Sequence, residues 1–111
     1  MNTTTLSALA EPTRLRIVEL LRERPRPVGE IADTLHIRQP QASKHLRVLS
    51  EAGLVKAQPV AQQRIYVLQA EPFEELGSWL DSFKYVWATQ NRLEALDEYL
   101  QALKAKDEPE E

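Results

Sequence analysis

Residues 31–55 read IADTLHIRQPQASKHLRVLSEAGLV, and no other stretch limits the fold so tightly. Ala42, Leu46 and Leu49 recur at helical spacing, with Val48 on their flank. Gly53 follows them, placed to close a helix in a left-handed conformation that costs glycine little. Upstream, Val28, Ile31, Ala32 and Leu35 make a second, shorter inward face. The spacing predicts two helices, Val28–Leu35 and Arg38–Ala52, with His36 and Ile37 as the turn between them. Pro40 is tolerated in the first turn of the second helix, where backbone N–H groups have no helical partner. That helix carries Arg38, Gln39, Gln41, Ser43, Lys44, His45 and Arg47 on its exposed faces. This is the layout of a DNA-reading helix-turn-helix. A helix fits the major groove, where Arg and Lys pair with guanine and Gln pairs with adenine. Gln39, Gln41, Lys44 and Arg47 are the candidates for base edges or phosphates, and Ser43 is a further donor. His45 either reaches a phosphate or packs against the turn; the sequence leaves both open. An ordinary solvated polar face is the competing reading.

The flanks fit a small domain built around that motif. Leu6, Leu9 and Ala10 mark a short amphipathic helix. Pro12 to about Arg24 reads as the next, with Leu15, Ile17, Val18, Leu20 and Leu21 as its buried stripe and Pro12 at a first helical position. Pro25 and Pro27 end it and stiffen the connection. Leu54–Pro59 and Arg64–Gln69 read as two short strands joined through Val60–Gln63, a β-wing beside the helices. No Asn-Gly or Asp-Gly marks the turn, and Pro59 must sit at an edge or a strand end. Residues 73–104 form one long helical pattern, about 48 Å at about 1.5 Å per residue. That is longer than a small core can cover, and a second copy is the simplest partner. On this helix the expected dimer interface comprises Leu76, Leu80, Phe83, Trp87, Leu93, Leu96 and Leu100. The aromatic group Trp79, Phe83, Tyr85 and Trp87 is read as core or interface packing, with a pocket for a small-molecule effector as the alternative. The chain is thus expected to be a single mainly α (α+β) domain, residues 1–111. Residues 6–69 form the helix-turn-helix and wing core, 72–104 the dimerisation helix and 105–111 an acidic tail.

Net charge is −3, which by itself argues against a DNA binder. The distribution argues otherwise, because a local field decides docking more than the total does. Residues 1–35 are neutral, 36–66 carry +4 and 67–111 carry −7. The basic third is the one holding the proposed reading helix. Cysteine is absent, which excludes a disulfide framework and thiolate metal sites. No apolar run reaches membrane-spanning length and no signal peptide is evident, so a cytoplasmic location without membrane partners is expected.

The stretches LSALAEPTRLRIVELL, VGEIADTL, IRQPQASKHLRVLSEAGLV and RIYVL together resemble the ArsR/SmtB family of bacterial winged-helix repressors. Ser43, His45, Leu46, Leu49, Ala52, Gly53 and Leu54 fall on the family pattern. The resemblance implies a homodimer joined through its first and last helices, which adds Leu6 and Leu9 to the expected interface, and bound to pseudo-palindromic operators. It also implies repression of its own or a neighbouring operon. The departures are informative. Where metal-sensing members carry a Cys-x-Cys pair, this chain has Val28, Gly29, Glu30 and Ile31. The last helix has Asp81, Glu94, Asp97 and Glu98 but no histidine, a poor set for zinc. No metal and no cofactor is expected. His36 and Arg38 replace a usual small residue and a usual Ser cap, and Pro27 a usual Thr cap. The wing lacks glycine and has one basic residue near its tip, so Arg64 is expected to carry its DNA contact, with Gln62 and Gln63 secondary.

The expected function is a metal-independent, sequence-specific, homodimeric repressor acting on a double-stranded operator. The alternative is a protein-interaction module that keeps the fold and uses its acidic last helix. An enzyme is disfavoured because no nucleophile, base and orienting group assemble from this sequence.

Overall fold

The structure, a computed structural model, describes the backbone of residues 1–88 and 91–107; side chains are described for these except 85–88, 91, 92 and 107. The chain divides into two compact units, residues 1–76 and residues 77 onward.

The first unit is a winged helix-turn-helix. Helices α1 (Thr3–Ala10), α2 (Pro12–Glu23), α3 (Val28–Leu35) and α4 (Gln39–Glu51) surround a core centred on Ile17, Ile31, Leu46, Leu49 and Leu54, all fully buried. Strands β2 (Val55–Val60) and β3 (Gln63–Leu68) form the expected hairpin. Its loop is two residues, Ala61 and Gln62, shorter than the Val60–Gln63 turn expected; Gln63 opens β3. Ala61 has φ 55°, a left-handed value at the first loop position, which is how a tight hairpin turns without Asn-Gly.

Two expectations are corrected. The sheet has three strands, not two: Arg26–Pro27 forms β1 and pairs antiparallel with β3, giving the order β1-β3-β2. The prolines therefore bracket a strand rather than a plain linker. Arg26 is only 7% exposed. Its guanidinium donates to the Leu20 carbonyl and to the carboxylates of Glu30 and Glu23, at 3.3, 3.0 and 2.5 Å. A buried guanidinium is tolerable only with its donors satisfied in this way. Second, Leu15 is not in the buried stripe of α2; it is 44% exposed and lines an open apolar cleft of about 580 Å³ with Leu9, Val18, Leu68, Phe73 and Leu76. Leu20 is half-buried.

Arg24 also bonds Glu30 through its guanidinium, and with Arg26 it holds the Glu30 carboxyl below the ordinary carboxylate range. The backbone N–H of Arg14 does the same for Glu11. A carboxylate whose folded pKa is depressed adds stability above its unfolded pKa and loses that contribution as pH falls through the folded value. Melting temperature is therefore expected to be level above about pH 5 and to decline below about pH 4.5. Glu30→Gln should flatten part of that decline in melts recorded from pH 3 to 7.

Helices α3 and α4 end alike. Gly53 has φ 77°; its N–H donates to the Ser50 carbonyl at 3.0 Å, and the Leu54 N–H to the Leu49 carbonyl at 2.9 Å. His36 has φ 57°; its N–H donates to the Asp33 carbonyl at 3.3 Å, and the Ile37 N–H to the Ala32 carbonyl at 3.0 Å. Both are left-handed closures that suit glycine, and only one has it. A left-handed L-residue costs roughly 1–2 kcal/mol, partly offset by the greater unfolded-state freedom of glycine. His36→Gly is thus expected to raise stability by about 0.5–1 kcal/mol, read as a higher urea midpoint at unchanged slope.

Beyond the wing, where one long helix is expected over 73–104, the described residues are helical as α5 (Ala70–Ala88) and α6 (Asn91–Asp107); residues 89 and 90 between them lie outside the described set. So does the tail from 108. In the second unit, Leu80, Phe83, Leu93, Leu96 and Leu100 are all strongly exposed. The Trp79 and Phe83 rings meet edge-on at 5.1 Å, while the side chains of Tyr85 and Trp87 lie outside the described residues.

Candidate nucleic-acid interface

Helix α4 is held by one face. Ala42, Leu46 and Leu49 are fully buried, and at about 100° per residue the opposite face centres on Lys44 and Arg47, about 60° apart. Gln39 and Ser43 flank that face on one side and Gln41 on the other. All five side chains are exposed, as is Arg38 just before the helix. The structure thus brings six of the seven predicted α4 residues onto one accessible surface.

The helix start is capped unusually. Arg38 is the N-cap, and its side chain has no acceptor to offer. Gln41 makes the other half of a capping box: its Oε1 accepts from the Arg38 N–H at 3.3 Å, while its own N–H donates to the Arg38 carbonyl at 3.0 Å. The Gln39 side chain reaches back over α3, with its Oε1 3.9 Å from where a Cβ on Gly29 would lie. Arg47 pairs with Glu51 one turn on, at 3.2 Å. With both groups largely in solvent this pair is worth little and yields readily to a phosphate.

His45 differs from the other six. It lies at the edge of the buried face, half-buried, with Nδ1 3.7 Å from Glu11 Oε2. Glu11 also caps α2 by accepting from the Arg14 N–H at 2.8 Å. Hydrogen bonding from that N–H lowers the Glu11 pKa against the opposing pull of desolvation, and the charges of His45 and Arg14 lower it further. Glu11 and Arg14 are not among the residues expected from the sequence to act here. Their signal was the acid before Pro12 with an arginine three residues on, a helix start that names no tertiary partner.

In the wing, Gln62, Gln63 and Arg64 are all exposed. Gln63 opposes Val60 and Arg64 opposes Pro59, so adjacent residues leave opposite faces of the hairpin. Leu6, Leu9 and Leu76 are half-buried within the first unit, whereas Leu80, Phe83, Leu93, Leu96 and Leu100 are open. The Trp87 side chain is outside the described residues. No helix is long and apolar enough to cross a membrane, among the described residues.

The chain is similar to known helix-turn-helix proteins. A family model described as a helix-turn-helix domain matches residues 9–58. The transcriptional regulator Rv2034 of Mycobacterium tuberculosis is 42% identical over 76 residues, 68% of this chain and 71% of that protein. The transcriptional repressor SmtB of the same species is 44% identical over 63 residues, 57% of this chain. The match spans 47% of SmtB, so the chain covers about half the length of that relative. The homodimeric winged helix-turn-helix DNA-binding domain Mb0332 of Mycobacterium bovis superposes with a TM-score of 0.63 at 27% identity, covering 78% of this chain and 80% of that one. Both Mycobacterium tuberculosis relatives are named for transcriptional regulation. The chain belongs to the ArsR/SmtB family of winged helix-turn-helix transcriptional regulators.

Proposed function

We propose that the protein is a homodimeric, metal-independent transcriptional repressor that reads a two-part operator with α4. The observation that carries this reading is the division of α4 into a fully buried apolar face and an exposed face centred on Lys44 and Arg47. Arg38, Lys44 and Arg47 supply phosphate or guanine contacts. Gln39, Gln41 and Ser43 read base edges, and Arg64 with Gln62 and Gln63 approaches the backbone from the wing. Two α4 helices in successive major grooves lie about 34 Å apart, which a symmetric dimer supplies. The homodimeric relative from Mycobacterium bovis supports that assembly. The complete lack of cysteine removes thiol-based sensing and supports a regulator without a metal. Occupancy of a promoter by such a dimer excludes the transcription machinery.

A mobility-shift titration on the DNA upstream of its own gene tests the reading. The expected result is retardation that weakens steeply with salt and survives excess unrelated duplex. Equal affinity for related and unrelated DNA would overturn it.

A further inference from the structure

We propose that Gln41 reads DNA through its N–H₂ alone, because its amide oxygen is spent on closing the start of α4, and that it therefore selects guanine rather than adenine. The inference rests on the DNA-binding reading of α4 and names the base that one of its residues takes.

Two tasks fall on one side chain here. Gln41 is the third residue of α4 and is exposed, at the end of the helix that such motifs point into the groove. The backbone N–H of Arg38, just before the helix, donates to Gln41 Oε1 at 3.3 Å. The Gln41 and Ala42 N–H groups both donate to the Arg38 carbonyl at 3.0 Å, so residues 38 and 41 are tied together from both sides. Of the two ends of an amide only the oxygen can accept from an N–H. The bond to Arg38 therefore fixes which way the Gln41 amide faces: Oε1 turns back on the start of its own helix, and Nε2 with its two donors is left for an outside partner.

That division changes what the residue can read. A glutamine with a free amide pairs with adenine through both ends at once, accepting from N6 and donating to N7. Gln41 makes that pair only by releasing the Arg38 N–H. Guanine asks nothing of the oxygen, since its major-groove edge offers N7 and O6, both acceptors. Adenine keeps N7 but sets a donor, N6–H₂, where guanine has O6, and that donor would oppose the Gln41 N–H₂. The usual pairing of glutamine with adenine is thus reversed at this position.

The test separates the oxygen from the nitrogen. Wild type, Gln41→Ala and Gln41→Glu are titrated against a fluorescent duplex from upstream of the gene, and against duplexes in which each base pair is replaced in turn. Glutamate keeps an oxygen for the Arg38 N–H and suits the first turn of a helix, but it has no donor for a base. One guanine is expected whose replacement by adenine weakens wild type about ten-fold and each variant less than about two-fold. In melts without DNA, Gln41→Ala should fall by about 3 °C, while Gln41→Glu stays at or above wild type. A preference for adenine that disappears in Gln41→Ala would overturn the proposal, showing that the amide reads with both ends. Retention of the guanine preference by either variant would overturn it as well. So would a Gln41→Glu protein that melts with Gln41→Ala, because the oxygen would then not be held. If wild type shows no preference for this duplex while the melts keep the expected order, the operator reading falls, and the base preference with it.

Discussion

Replacing Arg38, Lys44 and Arg47 together by alanine is expected to lower affinity for every duplex by about a thousand-fold at 0.1 M salt and to flatten the salt dependence sharply. The argument is one of counting. Each phosphate neutralised contributes about 0.9 to the slope of log affinity against log salt, so three residues in each of two subunits account for a loss of about five. All three side chains are exposed, and among the described residues the only ion pair lost is the solvated Arg47–Glu51 pair. The triple variant should therefore melt within about 0.5 kcal/mol of wild type, which separates a lost contact from a lost fold. Gln41→Ala should behave differently: the slope stays, while discrimination against a changed base pair falls by about 1–3 kcal/mol. Because Gln41 also caps the Arg38 N–H, its removal should cost about 0.5–1 kcal/mol of stability as well. Retention of a full salt slope by the triple variant would remove α4 from the interface.

The parts of this protein that were legible in its sequence are those in which a local pattern fixes a local conformation. Gly53 closes α4 where the spacing of Leu46 and Leu49 put the end of the helix, because a left-handed closure is written in one residue. The buried face of α4 followed from periodicity alone, while His45, expected on an exposed face, lies half-buried at its edge. What was missed depended on partners distant in sequence. β1 is two residues long and becomes a strand only through Tyr66 and Ile65 across from it. Arg26 has no apolar signature, yet it is buried because Glu23, Glu30 and the Leu20 carbonyl surround it. Leu15 has the spacing of a core residue but faces an open cleft. The pairing of Glu11 with His45 joins residues 34 positions apart, beyond the reach of any periodicity.

Substituting Leu93, Leu96 and Leu100 by glutamate is expected to convert the protein to a monomer in sedimentation equilibrium and to lower operator affinity by about 10²–10⁴-fold, the gain that linking two half-site contacts provides. The three leucines are 68%, 53% and 52% exposed, so in an isolated chain the change removes little packing. Glutamate is also a good helix former, and α6 should persist. A lone helix of this length is nonetheless marginal in water without an apolar partner. Fully burying a leucine contributes about 1.5–3 kcal/mol, and a second copy would bury three from each subunit while meeting six new carboxylates in their place. The penalty therefore appears only if a partner covers this stripe. Association constants of variant and wild type compared at equal salt decide the matter. If the variant remains a dimer of wild-type affinity, the contact lies instead among Leu76, Leu80 and Phe83 with α1, and α6 is left free for some other partner.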